Sequence, residues 1–285
     1  MYWRSSMFFT NHIQELADGN QILGEFPNLK NSKINFNGAN NILYCEPGVT
    51  LSESSLDFKA DNSVIYLGAN RHEYKLTVSV YNDSVFHMGI HNFQTCKMTV
   101  ILSEQRHCYI GDYGVFSWGI CMRNSDPHLI YDCSTRKRVN PTQSIYIGDH
   151  VWVGQDCLIL KGTQIDSGSI IGGHAVISGK RIPHNSTWAG NPARQIKDDI
   201  FWNYACVHDY KSDMTESTLF YDDYIEKFHQ DYHRDEWIYD YQEAESINYD
   251  EMDRTLNMLD SSQKKLDYLI QLNKTKTKNR FVHRI

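Results

Sequence analysis

A six-residue repeat between Ile147 and Ile177 constrains the fold of this chain more than any other feature. One aliphatic residue leads each unit, and a small or β-branched residue follows four positions later. The aliphatic positions are Ile147, Val153, Ile159, Ile165, Ile171 and Ile177, and the small positions are Val151, Cys157, Thr163, Ser169 and Ala175. This period is typical of a parallel β-helix, in which each hexapeptide forms one short strand and one corner around a narrow interior. An amphipathic α-helix would instead need spacings of three and four residues, and the six glycines inside the repeat disfavour it.

Looser versions of the repeat precede the regular one. Short segments with a similar aliphatic pattern contain Gly68, Gly89, Gly111 and Gly148, and these glycines lie 21, 22 and 37 residues apart. The longest gap therefore contains an insertion, at about residues 123–142. Because this segment is rich in Arg, Asp, Asn and Pro, we expect a loop that projects from the coil and carries functional side chains.

The composition changes after residue 197. Residues 198–285 contain no glycine and hold 19 acidic against 11 basic residues, a net charge of −8. Leucines at helical spacing, at 256, 259, 266 and 269, predict a helical extension that packs on the β-helix or on a neighbouring subunit. The basic tail 274–284 is expected to be frayed. The predicted organisation is a lead-in at 1–30, a β-helix at 31–197 and an acidic, aromatic-rich extension at 198–285.

The composition indicates the cellular compartment and excludes one class of partner. No stretch reaches the length of a membrane span, and the amino terminus lacks an apolar core with a cleavage site, so we expect a cytoplasmic protein. Seven cysteines without a CxxC pair predict reduced, mostly buried thiols. The net charge of −7 and the lack of a basic stripe argue against nucleic-acid binding.

Three short motifs carry a family resemblance: Asp126-Pro127-His128, Val151-Trp152-Val153-Gly154 and Trp188-Ala189-Gly190-Asn191-Pro192-Ala193. Together with the repeat, they make residues 145–197 similar to acyl-CoA-dependent acetyltransferases of the left-handed β-helix type, which include bacterial capsule O-acetyltransferases. The resemblance implies an all-β core formed by a left-handed parallel β-helix. It also implies acetyl-CoA as donor, a saccharide acceptor, no metal, and a homotrimer with active sites between subunits.

The resemblance assigns His128 as the general base for direct attack on the thioester, without an acyl-enzyme. Histidine suits this role because it titrates near neutral pH. Asp126 or a backbone carbonyl would fix the tautomer of His128, and the sequence leaves this choice open. The alternative interpretation is that His128 belongs to a merely polar loop.

The remaining candidate residues concern the donor. Trp152 should point outward from the coil. The resemblance implies that it lies beside the pantetheine arm and the active site, in contact with the acyl donor or acceptor, and makes it a catalytic candidate with His128 and Asp126. A subunit contact is the alternative. Glycines on the surface of the β-helix would let the thin pantetheine arm of CoA approach the backbone closely. Cations near the end of the β-helix would bind the CoA phosphates. The predicted donor-binding residues are Trp152, Gly154, Gly172, Gly173, Lys180, Trp188, Arg194 and Lys197.

Other activities are also consistent with a β-helix. A carbonic-anhydrase-like metal site would use His87, His91 and His107, although their spacing puts His87 and His91 on different sides of a coil. An N-acetyltransferase of an amino sugar nucleotide and a non-catalytic scaffold are further alternatives. The sequence favours an O-acetyltransferase that acts on a hydroxyl of a bacterial surface saccharide.

Overall fold

The computed structural model describes residues 7–8, 16–228 and 236–284. The described chain forms short strands and then a helical segment. The strands are β1 (Met7–Phe8), β2 (Gln21–Gly24), β3 (Asn28–Lys30), β4 (Lys33–Phe36), β5 (Ile42–Cys45), β6 (Thr50–Ser52), β7 (Ser55–Phe58), β8 (Val64–Leu67), β9 (Leu76–Val80), β10 (Val85–Met88), β11 (Phe93–Gln94), β12 (Met98–Leu102), β13 (Cys108–Ile110), β14 (Val115–Phe116), β15 (Cys121–Arg123), β16 (Ile145–Ile147), β17 (Trp152–Val153), β18 (Leu158–Leu160), β19 (Gln164–Ile165), β20 (Ile170–Ile171), β21 (Val176–Ile177), β22 (Arg181–Ile182), β23 (Thr187–Ala189) and β24 (Arg194–Lys197). A 3₁₀-helix at Val207–Asp209 precedes α1 (Ser212–Ser217), α2 (Tyr221–Phe228), α3 (Tyr249–Met258) and α4 (Ser262–Leu272).

The strands stack into three main sheets that form the sides of a prism. Sheet 1 has the order β1-β4-β7-β9-β12-β15-β18-β21, sheet 2 the order β2-β5-β8-β10-β13-β16-β19-β22, and sheet 3 the order β11-β14-β17-β20-β23-β24. The pair β3-β6 continues the third side toward the amino terminus. Pairing is parallel except at the two ends, where β1 pairs with β4 and β24 with β23 in antiparallel fashion. The chain visits sheets 1, 2 and 3 in turn, which is the predicted parallel β-helix.

The repeat positions fill the interior of this prism. In neighbouring coils Ile147 aligns with Ile165, Val153 with Ile171 and Ile159 with Ile177. All six aliphatic leaders and all five small residues of the repeat are buried. The looser upstream repeats form coils of the same kind, and strands of the β-helix begin at Gln21, within the range predicted as a lead-in.

A second apolar core lies on the outer face of sheet 2. Tyr66, His87, Tyr109 and Tyr146 align across neighbouring strands and point away from the interior. The ring of His87 stacks on Tyr66 at 4.7 Å and on Tyr109 at 4.1 Å between centroids. Helices α3 and α4 cover this ladder with Met252, Leu256, Leu266 and Leu269, all buried. The predicted helical extension is therefore present and packs on its own β-helix.

Side-chain caps explain where the two covering helices begin. The Asn248 side chain accepts hydrogen bonds from the backbone N–H groups of Asp250 and Glu251, which starts α3. The Ser261 hydroxyl accepts one from the N–H of Lys264 and starts α4. Two separately capped helices therefore form the predicted helical region, and Leu259 lies between them.

The expectation of a frayed basic tail is wrong. Phe281 and Val282 are fully buried, and the Arg280 side chain is 1% exposed. The Arg280 guanidinium donates two hydrogen bonds of 2.7 Å to the carboxylate of Asp149 and lies 2.7 Å from Asp112. These two aspartates occupy equivalent corners of successive coils. Stacking of the coils therefore brings together the carboxylates that hold the basic tail in place.

The cysteines are free thiols, and the expectation that most are buried is only partly met. Cys45, Cys108 and Cys157 are buried, whereas Cys96, Cys133 and Cys206 are exposed. Within the residues that the structure describes, no helix is both long and apolar enough to cross a membrane.

Candidate active site

The insertion between β15 and β16 projects from the corner that joins sheets 1 and 2, as the sequence predicts. A bridge between Tyr131 and Arg138 closes it into a short hairpin. Two ion pairs fasten the hairpin to this corner: Arg138 lies 2.9 Å from Glu104 of the preceding coil, and Lys161 of the following coil lies 2.5 Å from Asp126. The loop that carries His128 is therefore held at one corner of the prism from both sides.

Asn140 organises the inside of this loop. Its buried side-chain amide donates hydrogen bonds to the His128 carbonyl at 2.8 Å and to Asp126 at 3.1 Å. Its amide oxygen accepts from the backbone N–H of Ile130 at 2.9 Å. One side chain thus fixes the backbone on both sides of His128, a role that the sequence analysis did not identify.

The imidazole of His128 is exposed, and no hydrogen bond reaches it within the described part of the chain. The hydrogen-bond partners of Asp126 are Lys161 and Asn140 rather than this ring. The hydrogen bond from Lys161, helped by that from Asn140, lowers the pKa of Asp126. Asp126 is thus an ionised anchor of the loop, and its proposed role in orienting His128 stays a prediction.

Trp152 lies on β17 in sheet 3 and points outward, as predicted. The indole is 42% exposed and stands between Val115 and Ile170 of the neighbouring coils. Trp202 of the extension lies beside it, with ring centroids 5.9 Å apart. The extension therefore borders the predicted donor site, which the sequence analysis did not anticipate.

Two residues before Trp152, a buried histidine connects the coil to the extension. The ring of His150 stacks between Trp202 at 3.8 Å and Trp237 at 3.9 Å. Its nitrogens lie 3.1 Å from the Tyr204 hydroxyl and 3.1 Å from the Trp202 carbonyl. Burial lowers the pKa of His150 to about 3, so the ring is neutral at physiological pH. The only sequence signal for this cluster is the density of aromatic residues at 201–241.

Two of the three glycines predicted to border the donor, Gly154 and Gly172, are needed for the packing of the coils. A Cβ on Gly154 would lie 2.7 Å from the backbone nitrogen of Gly173, and one on Gly172 would lie 2.8 Å from the Cβ of Ala189. Both positions need glycine because successive coils stack closely there. Gly173 is exposed at the same corner, and contact of these glycines with the donor stays a prediction.

The predicted donor residues near the end of the β-helix lie on or beside sheet 3. Trp188 aligns with the buried Ile171 and packs on the last layer of the core. Its indole nitrogen is buried without a hydrogen-bond partner among the described residues, and the ring lines a cleft of about 520 Å³. Arg194 and Lys197 lie on β24, which pairs with β23, and both are exposed. The exposed polar groups at this end of the β-helix are therefore the two cations, whereas the Trp188 indole packs on the core.

The candidate residues fall into two separate groups. His128, Asp126 and Lys180 belong to the corner between sheets 1 and 2. The others lie on sheet 3 or at its ends, namely Trp152, Gly154, Gly172, Gly173, Trp188, Arg194 and Lys197. In a three-sided prism this corner is opposite sheet 3, and the ion pairs of the loop hold His128 on the corner side. One chain alone does not bring the two groups together.

The histidines considered for a metal site have other surroundings. Both ring nitrogens of His87 are engaged, one at 3.0 Å from the Ile110 carbonyl and the other at 2.9 Å from Asn273. His107 is buried and accepts a hydrogen bond from the backbone of Val85. Across residues 16–228 and 236–284 the structure shows no group of three His, Cys, Asp or Glu side chains placed to hold a metal ion.

Comparisons with known proteins agree with the fold and the repeat. Residues 144–179 match the family model described as bacterial transferase hexapeptide (six repeats). A polysialic acid O-acetyltransferase of Neisseria meningitidis is 25% identical over 193 residues, which are 68% of this chain and 86% of that protein. One from Escherichia coli O1:K1 is 30% identical over 102 residues, which are 36% of this chain and 33% of the relative.

A solved structure extends this agreement to three dimensions. The crystal structure of the polySia-specific acetyltransferase NeuO superposes with a TM-score of 0.60 at 29% identity and covers 70% of this chain and 89% of that one. The repeat, its coil-by-coil register and the matched relatives lead to one conclusion. This chain is an acyltransferase with the β-helix fold, and its residues 144–179 carry the bacterial transferase hexapeptide repeat.

Proposed function

We propose that this protein transfers an acetyl group from acetyl-CoA to a hydroxyl of a bacterial surface polysaccharide, at sites formed between the subunits of a homotrimer. The observation that carries the proposal is the split of the candidate residues between the corner of sheets 1 and 2 and the opposite sheet 3. A cyclic trimer presents the corner of one copy to sheet 3 of the next, which completes the site. The matched polysialic acid O-acetyltransferases support the acceptor class.

In this mechanism His128 removes the proton from the acceptor hydroxyl as the oxygen attacks the thioester carbonyl of acetyl-CoA. The tetrahedral intermediate collapses, the carbon–sulfur bond breaks, and the leaving thiolate takes the proton from the imidazolium. Acetyl ester and CoA are the products, and no acyl-enzyme forms. The role of the chain is to hold base, acceptor and donor in one geometry, which accounts for a loop fastened by two ion pairs.

The donor would lie along sheet 3 and extend toward the carboxyl end of the coils. Trp152 would contact the pantetheine arm, and Gly154, Gly172 and Gly173 would border it. Trp188 would border its far end, where the exposed Arg194 and Lys197 supply positive charge that suits the CoA phosphates. Lys180, on the opposite corner, would approach the same donor from the neighbouring subunit. Because the proposed donor is a metabolite of the cytoplasm, we place the reaction there.

A mixing experiment tests the shared site. The variants His128→Ala and Trp152→Ala are each expected to be inactive alone, because each lacks one half of every site. When both chains are co-expressed, every mixed trimer contains one junction with an intact His128 facing an intact Trp152. Partial recovery of acetyl transfer is therefore expected. If mixed trimers form and stay inactive, the site does not lie between subunits.

The acceptor is tested by measuring acetyl-CoA turnover with acidic and neutral oligosaccharides, free sugars and amino sugar nucleotides. The proposal predicts turnover with oligosaccharides and an ester product that mild base removes. An amide product formed from an amino sugar nucleotide would replace the proposal with an N-acetyltransferase. Absence of turnover with every acceptor, in a protein that binds CoA, would contradict both activities.

A further inference from the structure

Trp202 is the residue of the extension that touches the candidate donor site. Its ring lies beside the exposed indole of Trp152, with the centroids 5.9 Å apart and the planes inclined by 48°. The strand neighbours of Trp152, Val115 and Ile170, are aliphatic, so the aromatic contact of this indole comes from the extension.

The extension reaches Trp152 by running back along one edge of sheet 3. After β24, which carries two exposed cations, the backbone N–H of Ile200 donates a hydrogen bond of 2.9 Å to the Asn185 carbonyl, at the corner before β23. Trp202 then contacts the equivalent corner before β17, which is two strands away in sheet 3. The segment 198–202 therefore connects the two ends of the proposed donor site, the cations of β24 and the indole of Trp152.

One residue of the coil holds the Trp202 ring in place. The indole N–H donates a hydrogen bond of 3.1 Å to the His150 carbonyl, and the ring stacks on the His150 imidazole at 3.8 Å with the planes 4° apart. The imidazole Nε2 in turn lies 3.1 Å from the Trp202 carbonyl. Because His150 is fully buried and stands two residues before Trp152, these contacts fix Trp202 relative to β17.

A ring fixed in this way restricts the side chain of Trp152. An exposed indole can adopt several rotamers, and a neighbouring ring removes those that would overlap it. A ligand that packs on an indole already in one orientation does not have to order it, which is worth about threefold to tenfold in affinity for one side chain. Trp202 is itself 8% exposed, so it offers little surface of its own to a ligand and acts through Trp152.

We propose that Trp202 is a positioning residue of the donor site, which holds the Trp152 indole in the orientation that packs against the pantetheine arm of acetyl-CoA. The extension is thus a part of the donor site, although the residues proposed to touch the donor all precede it. This inference rests on the proposed function, because it takes acetyl-CoA as the ligand beside Trp152.

Trp237 provides a matched control for Trp202. It stacks on the opposite face of the His150 ring at 3.9 Å, and at 7% exposed it is buried to the same extent. Of the two rings, Trp202 is the one that contacts Trp152. A purely structural role would make the two tryptophans equivalent, whereas the positioning role makes them different.

Calorimetry with CoA and steady-state kinetics on the full-length protein measure this difference. Trp202→Leu should raise the Kd of CoA and the KM for acetyl-CoA about threefold to tenfold, with a smaller change in kcat. Trp202→Met, which fills the space with a flexible side chain, should behave in the same way. Trp202→Phe keeps a ring beside Trp152, and both Trp202→Phe and Trp237→Leu should stay within about twofold of the wild type.

A double-mutant cycle shows whether Trp202 acts through Trp152. In a Trp152→Ala background, Trp202→Leu should change the Kd of CoA no further, because the indole that it positions is gone. The inference is overturned if Trp237→Leu weakens CoA binding as much as Trp202→Leu does, if the two changes of the cycle are additive, or if Trp202→Leu binds CoA as the wild type does.

Acetyl transfer to saccharides decides the proposed function separately. CoA binding that depends on Trp202, without transfer to any saccharide, would leave this inference in place and refute the proposed function. Transfer to a saccharide with wild-type CoA binding in Trp202→Leu would do the reverse. A wild-type protein that does not bind CoA would contradict both.

Discussion

The side-chain amide of Asn140 donates a hydrogen bond of 2.8 Å to the backbone carbonyl of His128. The same side chain accepts a hydrogen bond from Ile130 and reaches Asp126, so it fixes the loop on both sides of the proposed base. Displacement of a reacting group by about 1 Å can cost about 10²-fold in rate. Asn140 is therefore a positioning residue that acts through His128 without touching the substrate.

We expect Asn140→Ala to lower kcat by about 10-fold to 100-fold and to leave the KM for acetyl-CoA unchanged. Steady-state kinetics with both substrates measures the two effects separately. Lys137→Ala, an exposed change in the same loop, is the control and should behave as wild type. A variant of Asn140 with wild-type kcat would show that the loop holds its shape without this side chain.

The substitution His128→Ala should reduce acetyl transfer by about 10²-fold to 10⁴-fold while CoA binds as in the wild type. The reason is that a general base acts mainly in the transition state, and the exposed ring of His128 holds no other part of the described fold. Calorimetry with CoA and a turnover assay on the same preparation measure both effects. His208→Ala, another exposed histidine, is the control, and activity within twofold of wild type in His128→Ala would exclude the base role.

Stability should fall as the pH drops below about 6.5. Burial lowers the pKa of His87, His107 and His150 to about 3, whereas the unfolded chain takes up these protons near pH 6.5. Since the unfolded state then binds more protons, each histidine removes up to about 1.4 kcal/mol of unfolding free energy per pH unit. His283 acts in the opposite direction: burial lowers its pKa, but the hydrogen bond with Asp166, the negative charge of Asp166 and the hydrogen bond with the Ile247 carbonyl together outweigh burial and raise it.

Urea unfolding between pH 7.5 and about 4.5 measures this dependence. His150→Phe keeps an aromatic ring between the two tryptophans and should reduce the slope by about one third, since it removes one of three such histidines. Equal stability at both ends of the pH range would contradict the neutral, buried state of these rings.

A chain that ends at Lys197 should keep its coils but aggregate. Removal of the extension exposes the outer face of sheet 2, where Tyr66, Tyr109 and Tyr146 are now covered by α3 and α4. Each buried aromatic or aliphatic side chain contributes about 1.5–3 kcal/mol, and a contiguous exposed apolar face promotes association. Sedimentation of the shortened chain, with and without Tyr109→Lys and Tyr146→Lys, tests this. A shortened chain that stays dispersed without these changes would show that the extension is not needed for solubility.

Breaking the anchor of the tail should be costly. Arg280→Met leaves the carboxylates of Asp149 and Asp112 buried without their main cation, and loss of one partner of a buried ion pair costs roughly 3–5 kcal/mol. The exposed Arg284, changed to Met, is the control and should alter stability by less than about 0.5 kcal/mol. Denaturant unfolding gives both values, and equal values would mean that Arg280 does not hold the tail.

The sequence was informative wherever a residue's environment repeats at short range. Leaders such as Ile159 and small residues such as Ala175 revealed their burial through the six-residue period. His150 gave no such signal, because its partners Trp202 and Trp237 come from more than fifty residues further along the chain. The sequence wrongly predicts a frayed basic tail for the same reason: its partner Asp149 is distant in sequence and comes close only when the coils stack.

The positioning role of Asn140 could not be predicted from the sequence for a different reason. An asparagine in a polar insertion is typical of many turns, and only the closed hairpin shows that its amide faces the His128 carbonyl. The same holds for the grouping of the candidate residues. Motifs identify His128 and Trp152 as a pair, whereas the order of the sheets shows that they lie on opposite sides of one prism.

The helices over sheet 2 also limit how copies of this protein can assemble. A three-sided prism whose second side is covered by its own chain has its first side and the exposed part of its third side left, where Trp202 covers only part of the surface beside Trp152. A member of a closed ring needs two contact surfaces, one for each neighbour, and the two surfaces differ, as in any head-to-tail ring. In the proposed trimer, sheets 1 and 3 would supply the two different contact surfaces, and helices α3 and α4 would lie on the outside, away from the axis around which the subunits would meet.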